Sequence, residues 1–314
     1  MAYSARMQKN HLYSMFFAPR GNDRMADLGM QIAAQYLSPF DKLIGLIGDA
    51  GSGKSMLIKG MFPGLELTND DEGVNIRPLP LLSIDDAGFY TPHTYHIDIR
   101  FESGFMQMHE LAGAILYAVG KGKRVVVEHF DMIYPFLGRN AHLLIGVGEE
   151  VIITRPTLFG PKPSDITDAV FKSIHYRLMV HTAEDICEYF MERQGIGGHM
   201  YEHADVRHGF ILSFETKPDI DLEKLEKDVN ELIRKDTPIS YADERHIFIG
   251  EERHGCTGPR MHVRSTGSIQ KFTLLKEFLQ EPITDRFLMV GLVNDDIEQH
   301  VGDLNDLNRI ELQA

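Results

Sequence analysis

Residues 48–55 read GDAGSGKS, the pattern G-x-x-x-x-G-K-[S/T] with Gly48, Gly53, Lys54 and Ser55 at its fixed positions. Before it stands LIGLIG, Leu43 to Gly48, a short continuous apolar run of the kind that forms a strand buried on both faces. After it, MLIKGMF opens a helix. Strand, glycine loop and helix in that order are the context such a loop needs. Its backbone N–H groups turn inward to cradle phosphate oxygens, and the helix adds the positive end of its dipole. The sequence therefore predicts nucleotide binding by Gly48, Asp49, Ala50, Gly51, Ser52, Gly53, Lys54 and Ser55. Lys54 is expected to reach the outer phosphates of ATP or GTP, and the Ser55 hydroxyl to ligate Mg²⁺.

Outward from the loop, the pattern repeats. Asn22 to Leu37 reads as a helix capped by Asn22, with Met25, Leu28, Ile32 and Tyr36 on one face. Apolar runs follow at 78–84 (PLPLLSI), 124–130 (RVVVEHF), 142–148 (HLLIGVG) and 150–156 (EVIITRP), with a helix over Gln107 to Val119. Alternating strands and helices predict an α/β domain with a largely parallel sheet over residues 1–160. TRPTLFGPKPSD then predicts a linker near 156–165. Residues 166–280 read as a separate α+β domain: a helix to about 193, a strand GFILSFE, the amphipathic helix DLEKLEKDVNELIRK, and strands HIFIG and SIQKFTLL. Residues 281–314 are left as a C-terminal extension.

Phosphoryl transfer needs carboxylates that hold Mg²⁺ and position the acceptor. Glu128 ends a buried run, at the strand edge where open α/β sheets bind ligands. Two aspartate pairs precede it, Asp70–Asp71 in LTNDDEGVNIRP and Asp85–Asp86 in LLSIDDAGFY. LLSIDDAGFY followed by VVVEHFD resembles the uridine-kinase type of P-loop kinase, whereas LTNDDEGVNIRP looks like the paired-Asp segment of HPr-kinase-like proteins. Both resemblances imply kinase chemistry. They differ on which aspartate is the base; Asp85 and Asp86 stand beside Lys54 and Glu128 as the expected catalytic groups.

Residues 175–275 resemble a different family, the second additional (editing) domain of alanyl- and threonyl-tRNA synthetases. HTAEDICEYF stands where that family carries HxxxH, and CTGPRMHVRSTGSIQKFTLL resembles its CGGTHVxxTGxIxxFxI segment. The resemblance implies a zinc site formed by His181, Asp185, Cys256 and His262. Asp185 replaces the family's second histidine, and Cys256 to His262 spans six positions instead of four. His181 and Asp185, four residues apart, share one helix face, and imidazole, carboxylate and thiolate are all competent zinc ligands. His199, His203, His208 and His254 read as surface or turn histidines.

The formal net charge of -14 argues against a broad phosphate-backbone interface, so tRNA is a disfavoured partner. Two cysteines far apart in sequence, Cys187 and Cys256, and no apolar run near the roughly 18 residues a membrane helix needs, predict a cytoplasmic protein without a membrane partner. These readings combine as a P-loop phosphotransferase acting on a small, amino-acid-like molecule recognised by the editing-like domain, with ATP or GTP, Mg²⁺ and Zn²⁺ as cofactors. The alternatives are a zinc-dependent aminoacyl-tRNA deacylase and a nucleotide-gated sensor. Oligomeric state is not legible.

Overall fold

The structure, a computed structural model, describes residues 13–67, 79–83 and 93–293. The chain is mixed α/β, and its described residues divide into two compact units. The first unit holds residues 13–16 and Met25–Lys172; the second holds Phe17–Arg24 and residues 173–293.

A mixed six-stranded sheet forms the frame of the first unit. Its strands are β1 (Tyr13–Phe17), β2 (Leu43–Ile47), β3 (Thr94–Asp98), β4 (Arg124–Glu128), β5 (Leu143–Val147) and β6 (Glu150–Thr154), in the spatial order β1-β6-β5-β2-β4-β3. The inner pairs β5–β2, β2–β4 and β4–β3 are parallel, while β5 and β6 pair antiparallel. The expectation of a largely parallel sheet thus holds for four strands, and the six together are mixed. β2, β5 and β6 are buried along their whole length; β2 and β5 are unbroken apolar runs, whereas β6 also buries the polar Glu150 and Thr154 at its ends. The 78–84 run is not a strand where it is described: Pro80–Ser83 form one 3₁₀ turn. Its two prolines explain this, since they remove ladder donors.

Two helices back the glycine loop. α1 (Asn22–Tyr36) buries Met25, Leu28 and Ile32 on the expected face, and α2 (Lys54–Met61) follows the loop. They cross so closely that a Cβ on Gly29 would collide with Leu57 O, and one on Gly60 with Ala26 O. Because the obstacles are backbone, neither can rotate away. Gly60→Ala is therefore expected to destabilise the first unit by about 1–3 kcal/mol, the usual cost of overpacking. A lowered melting temperature checks this; an unchanged one contradicts the close crossing. Next come the short α3 (Ile99–Glu102), α4 (Met108–Gly120) and α5 (Phe130–Leu137).

α6 (Pro163–Glu192) is one continuous helix, and the division between the units falls inside it, between Lys172 and Ser173. The expected linker at 156–165 is shorter: a tight turn closed by Thr157 and Gly160 precedes Pro163, a residue well suited to a first helical turn.

In the second unit, β7 (Tyr201–Val206), β8 (Gly209–Phe214), β12 (Thr273–Leu274), β13 (Leu279–Gln280) and β14 (Phe287–Leu292) form one sheet ordered β12-β14-β8-β7, with β13 also on β14. β9 (Ile239–Asp243), β10 (His246–Ile249) and β11 (Glu252–Gly255) form a second sheet. Of SIQKFTLL only Thr273 and Leu274 are strand. β14 pairs along its length with β8, so residues 287–292 belong to this unit's sheet rather than to an extension. The second half of α6 and α7 (Leu222–Arg234) pack on these sheets through Val180, Ala183, Leu225 and Val229. Asp221 caps α7, accepting from Lys224 N at 3.0 Å. Among the described residues, no helix is long and apolar enough to cross a membrane.

Candidate functional site

Parallel register decides what surrounds the glycine loop. Leu46 of β2 is the partner of Glu128 in β4, and Asp98 in β3 is the partner of the same Glu128. The ends of three neighbouring strands therefore lie in a row at the edge where the loop begins. Gly51 and Gly53 take φ of 76° and 88°, a left-handed backbone that only glycine adopts without strain, and this turns the loop back onto α2.

Lys54 is buried and folded over its own loop, donating to Gly48 O at 3.0 Å and Asp49 O at 2.8 Å. Its Nζ lies 3.9 Å from Glu128 Oε2. Burial pushes the Lys54 ammonium below its ordinary value, opposed by the charges of Glu128 and Asp98. Ser55 Oγ donates to Glu128 Oε1 at 3.1 Å, and His96 Nε2 lies 3.1 Å from the same oxygen. Burial alone would raise the Glu128 carboxyl, but the His96 hydrogen bond and the charges of His96 and Lys54 outweigh it and hold the group below the carboxylate range. Glu128 is thus an ionised, fully buried acid touching both the lysine and the serine of the loop.

Three residues of this group were not expected there: His96, Asp98 and His129. Asp98, also buried, offers a carboxylate oxygen that lies, together with ligand atoms of Glu128 and His129, in a group within 4.8 Å of one another. His129 takes φ of 56°, an uncommon conformation for a side chain of that size, costing about 1–3 kcal/mol. Burial and Lys54 together lower its pKa. Asp70–Asp71 and Asp85–Asp86 lie outside the described residues.

The second unit gathers the other expected set. His181 and Asp185 stand on one face of α6, Cys256 follows β11, and His262 lies six residues on. One ligand atom from each lies within 4.8 Å of all the others. Cys256 Sγ is 3.4 Å from His181 Nε2 and 3.7 Å from His262 Nε2, and His262 Nε2 is 2.9 Å from Asp185 Oδ2. The longer Cys256–His262 spacing is accommodated by a turn at Gly258, whose carbonyl accepts from Met261 N. Burial pushes Asp185 up, but the neighbouring His181 and His262 bring it down to about 2. Burial and the charge of His181 lower His262, opposed by its hydrogen bond to Asp185 and by that group's charge. Burial and Asp185 push the Cys256 thiol up.

Around this set the α6 face carries Glu184 and Glu188, an acidic stripe not singled out from the sequence. Arg20 holds Glu184 through Nε at 2.7 Å and Nη2 at 3.2 Å, and its Nη1 pairs with Asp205 at 2.7 Å. Of the four histidines read as surface or turn residues, only His199 is exposed. His203 is half-buried against Glu184 at 3.1 Å, His208 is buried in the β7–β8 turn against the Tyr176 ring, and His254 is buried beside Glu192. Histidine spacing in sequence carries no signal for such pairings, because each partner comes from a distant element.

No protein-family model matches the chain, and no match was found among curated proteins.

Proposed function

We propose that the first unit is a P-loop nucleotide-binding domain and that the protein is a kinase-like phosphotransferase using ATP or GTP with Mg²⁺. The observation that carries this reading is Glu128, an ionised acid 3.1 Å from Ser55 Oγ and 3.9 Å from Lys54 Nζ. In the reading, Lys54 would leave its loop carbonyls for the outer phosphates, and the Ser55 hydroxyl oxygen would help hold the metal. Mg²⁺, when bound with the nucleotide, neutralises charge on the transferring group. Glu128 and Asp98 are the carboxylates placed to hold that ion or its waters, and His96 keeps Glu128 oriented. The phosphoryl acceptor in this reading is a small, amino-acid-like molecule.

Glu128→Gln is expected to leave nucleotide affinity nearly unchanged while lowering turnover about 100-fold or more, the size of effect seen when one charge-stabilising group is removed from a transition state. ADP formation with Mg-ATP, alongside calorimetric affinity, measures both. Unchanged turnover would remove Glu128 from the chemistry.

The second unit is read as a module similar to the editing domain of alanyl- and threonyl-tRNA synthetases, holding zinc through His181, Asp185, Cys256 and His262. The donor set fits: two imidazoles, a carboxylate and a thiol, buried or nearly so, meet a tetrahedral ion's needs. With all four donors on the ion the site would be closed, so Lewis-acid action toward an oxygen or amine of a ligand would require a fifth coordination position or release of one donor. This convergence also favours a second reading, aminoacyl-tRNA deacylation. Release of amino acid from mischarged tRNA by the zinc-loaded protein, without nucleotide, would favour it over phosphoryl transfer.

A further inference from the structure

Resting on the zinc reading of the second unit, we infer that Glu184, clamped by Arg20, is the outer carboxylate that sets the tautomer and orientation of His181 for an ion bound at its Nε2. His181 is buried and presents Nε2 to Cys256 Sγ at 3.4 Å. Its other nitrogen, Nδ1, is buried, makes no hydrogen bond among the described residues, and lies 3.7 Å from Glu184 Oε2. A neutral imidazole carries one proton, so an ion at Nε2 places that proton on Nδ1. Metal-bound histidines ordinarily donate this second N–H to a carboxylate or carbonyl, which fixes the ring and raises its basicity. Asp185 Oδ1 is 3.9 Å from Nδ1, but Asp185 is itself one of the four donors and its Oδ2 is engaged with His262. Glu184 is the remaining acid within reach among the described residues. In the competing tautomer Nε2–H faces Gly258 O at 3.2 Å. Glu184 Oε2, facing Nδ1, thus favours the form of the ring that binds metal at Nε2.

What makes Glu184 suitable is its own anchoring. Arg20 grips both carboxylate oxygens from a segment far away in sequence, and that guanidinium is fixed in turn by Asp205, Ala204 O and Gly209 O. Residues 17–24 therefore belong to the metal site's support even though they precede the glycine loop.

Two measurements test this. In zinc-loaded wild-type protein, nitrogen NMR of His181 should show a slowly exchanging proton on Nδ1 and the metal on Nε2. Zinc affinity by chelator competition should fall about 10- to 100-fold in Glu184→Gln, the range for losing the carboxylate partner of a metal-bound histidine. Because Glu184→Gln leaves Arg20 with one buried charge partner fewer, the double variant Arg20→Met/Glu184→Gln is measured too. It removes both charges of the pair and leaves Asp205 paired with Arg24. Metal on Nδ1, or affinity within about twofold of wild type in both variants, overturns the inference alone, since partners of this kind act through metal affinity. Wild-type protein that takes up no zinc overturns the zinc reading and this inference together.

Discussion

Replacing Lys54 with alanine is expected to abolish most nucleotide binding, weakening it on the order of 100-fold or more, about 2.7 kcal/mol. Lys54 is the one cation within the GDAGSGKS loop, and its ammonium is already desolvated and poised over the loop carbonyls. Hydrogen bonds to charged groups contribute about 1.5–3 kcal/mol each, and an ammonium bridging two phosphates makes at least two. The free protein should stay folded, because Glu128 keeps His96 and Ser55 as partners when Lys54 is gone. Calorimetric titration with Mg-ATP and Mg-GTP, together with melting curves of the free protein, measures both quantities. Equal affinities in wild type and variant would remove the loop from nucleotide binding.

The second large effect concerns metal. Wild-type protein purified without chelator is expected to carry about one zinc per chain, the occupancy of a closed four-ligand site. Cys256→Ser should lose most of it, whereas Asp185→Asn should lose less. The thiolate is the softest and strongest donor of the set, and a serine hydroxyl replaces neither its charge nor its softness. In Asp185→Asn the side-chain amide keeps one oxygen near His262, at the place where Asp185 Oδ2 now lies 2.9 Å from His262 Nε2. Elemental analysis of the three proteins checks the order. Stoichiometric zinc in Cys256→Ser would place the ion elsewhere, and no zinc in wild type would leave a polar pocket and weaken the deacylase reading further.

How far the sequence reveals these sites differs between the units. GDAGSGKS announces the loop because glycine positions and the flanking apolar run are local signals, and Glu128 follows from its place at a strand end. His181, Asp185, Cys256 and His262 come only from a resemblance; the structure brings all four together. β3 escapes a reading by pattern because His96 and Asp98 in TYHID look like polar interruptions. Both are buried, since parallel pairing with β4 sets Asp98 beside Glu128. β1 escapes because YSMFF is only half-buried and shows no continuous apolar run. Arg20 and Glu184 are invisible in another way. Their pairing joins residues 164 positions apart, and nothing in either local sequence names the partner. His129 has no sequence signature at all, because its left-handed backbone is imposed by the step from β4 into α5.

Everything proposed for the first unit depends on the glycine loop seating a nucleoside triphosphate with its outer phosphates beside Lys54, Ser55 and Glu128. A crystal structure with Mg²⁺ and a non-hydrolysable ATP analogue tests this most directly. The expected result is the terminal phosphate on Lys54 Nζ, the metal on Ser55 Oγ, and Glu128 or Asp98 on the metal or its waters. Nucleotide bound away from residues 48–55, or no binding at saturating concentration, would contradict it.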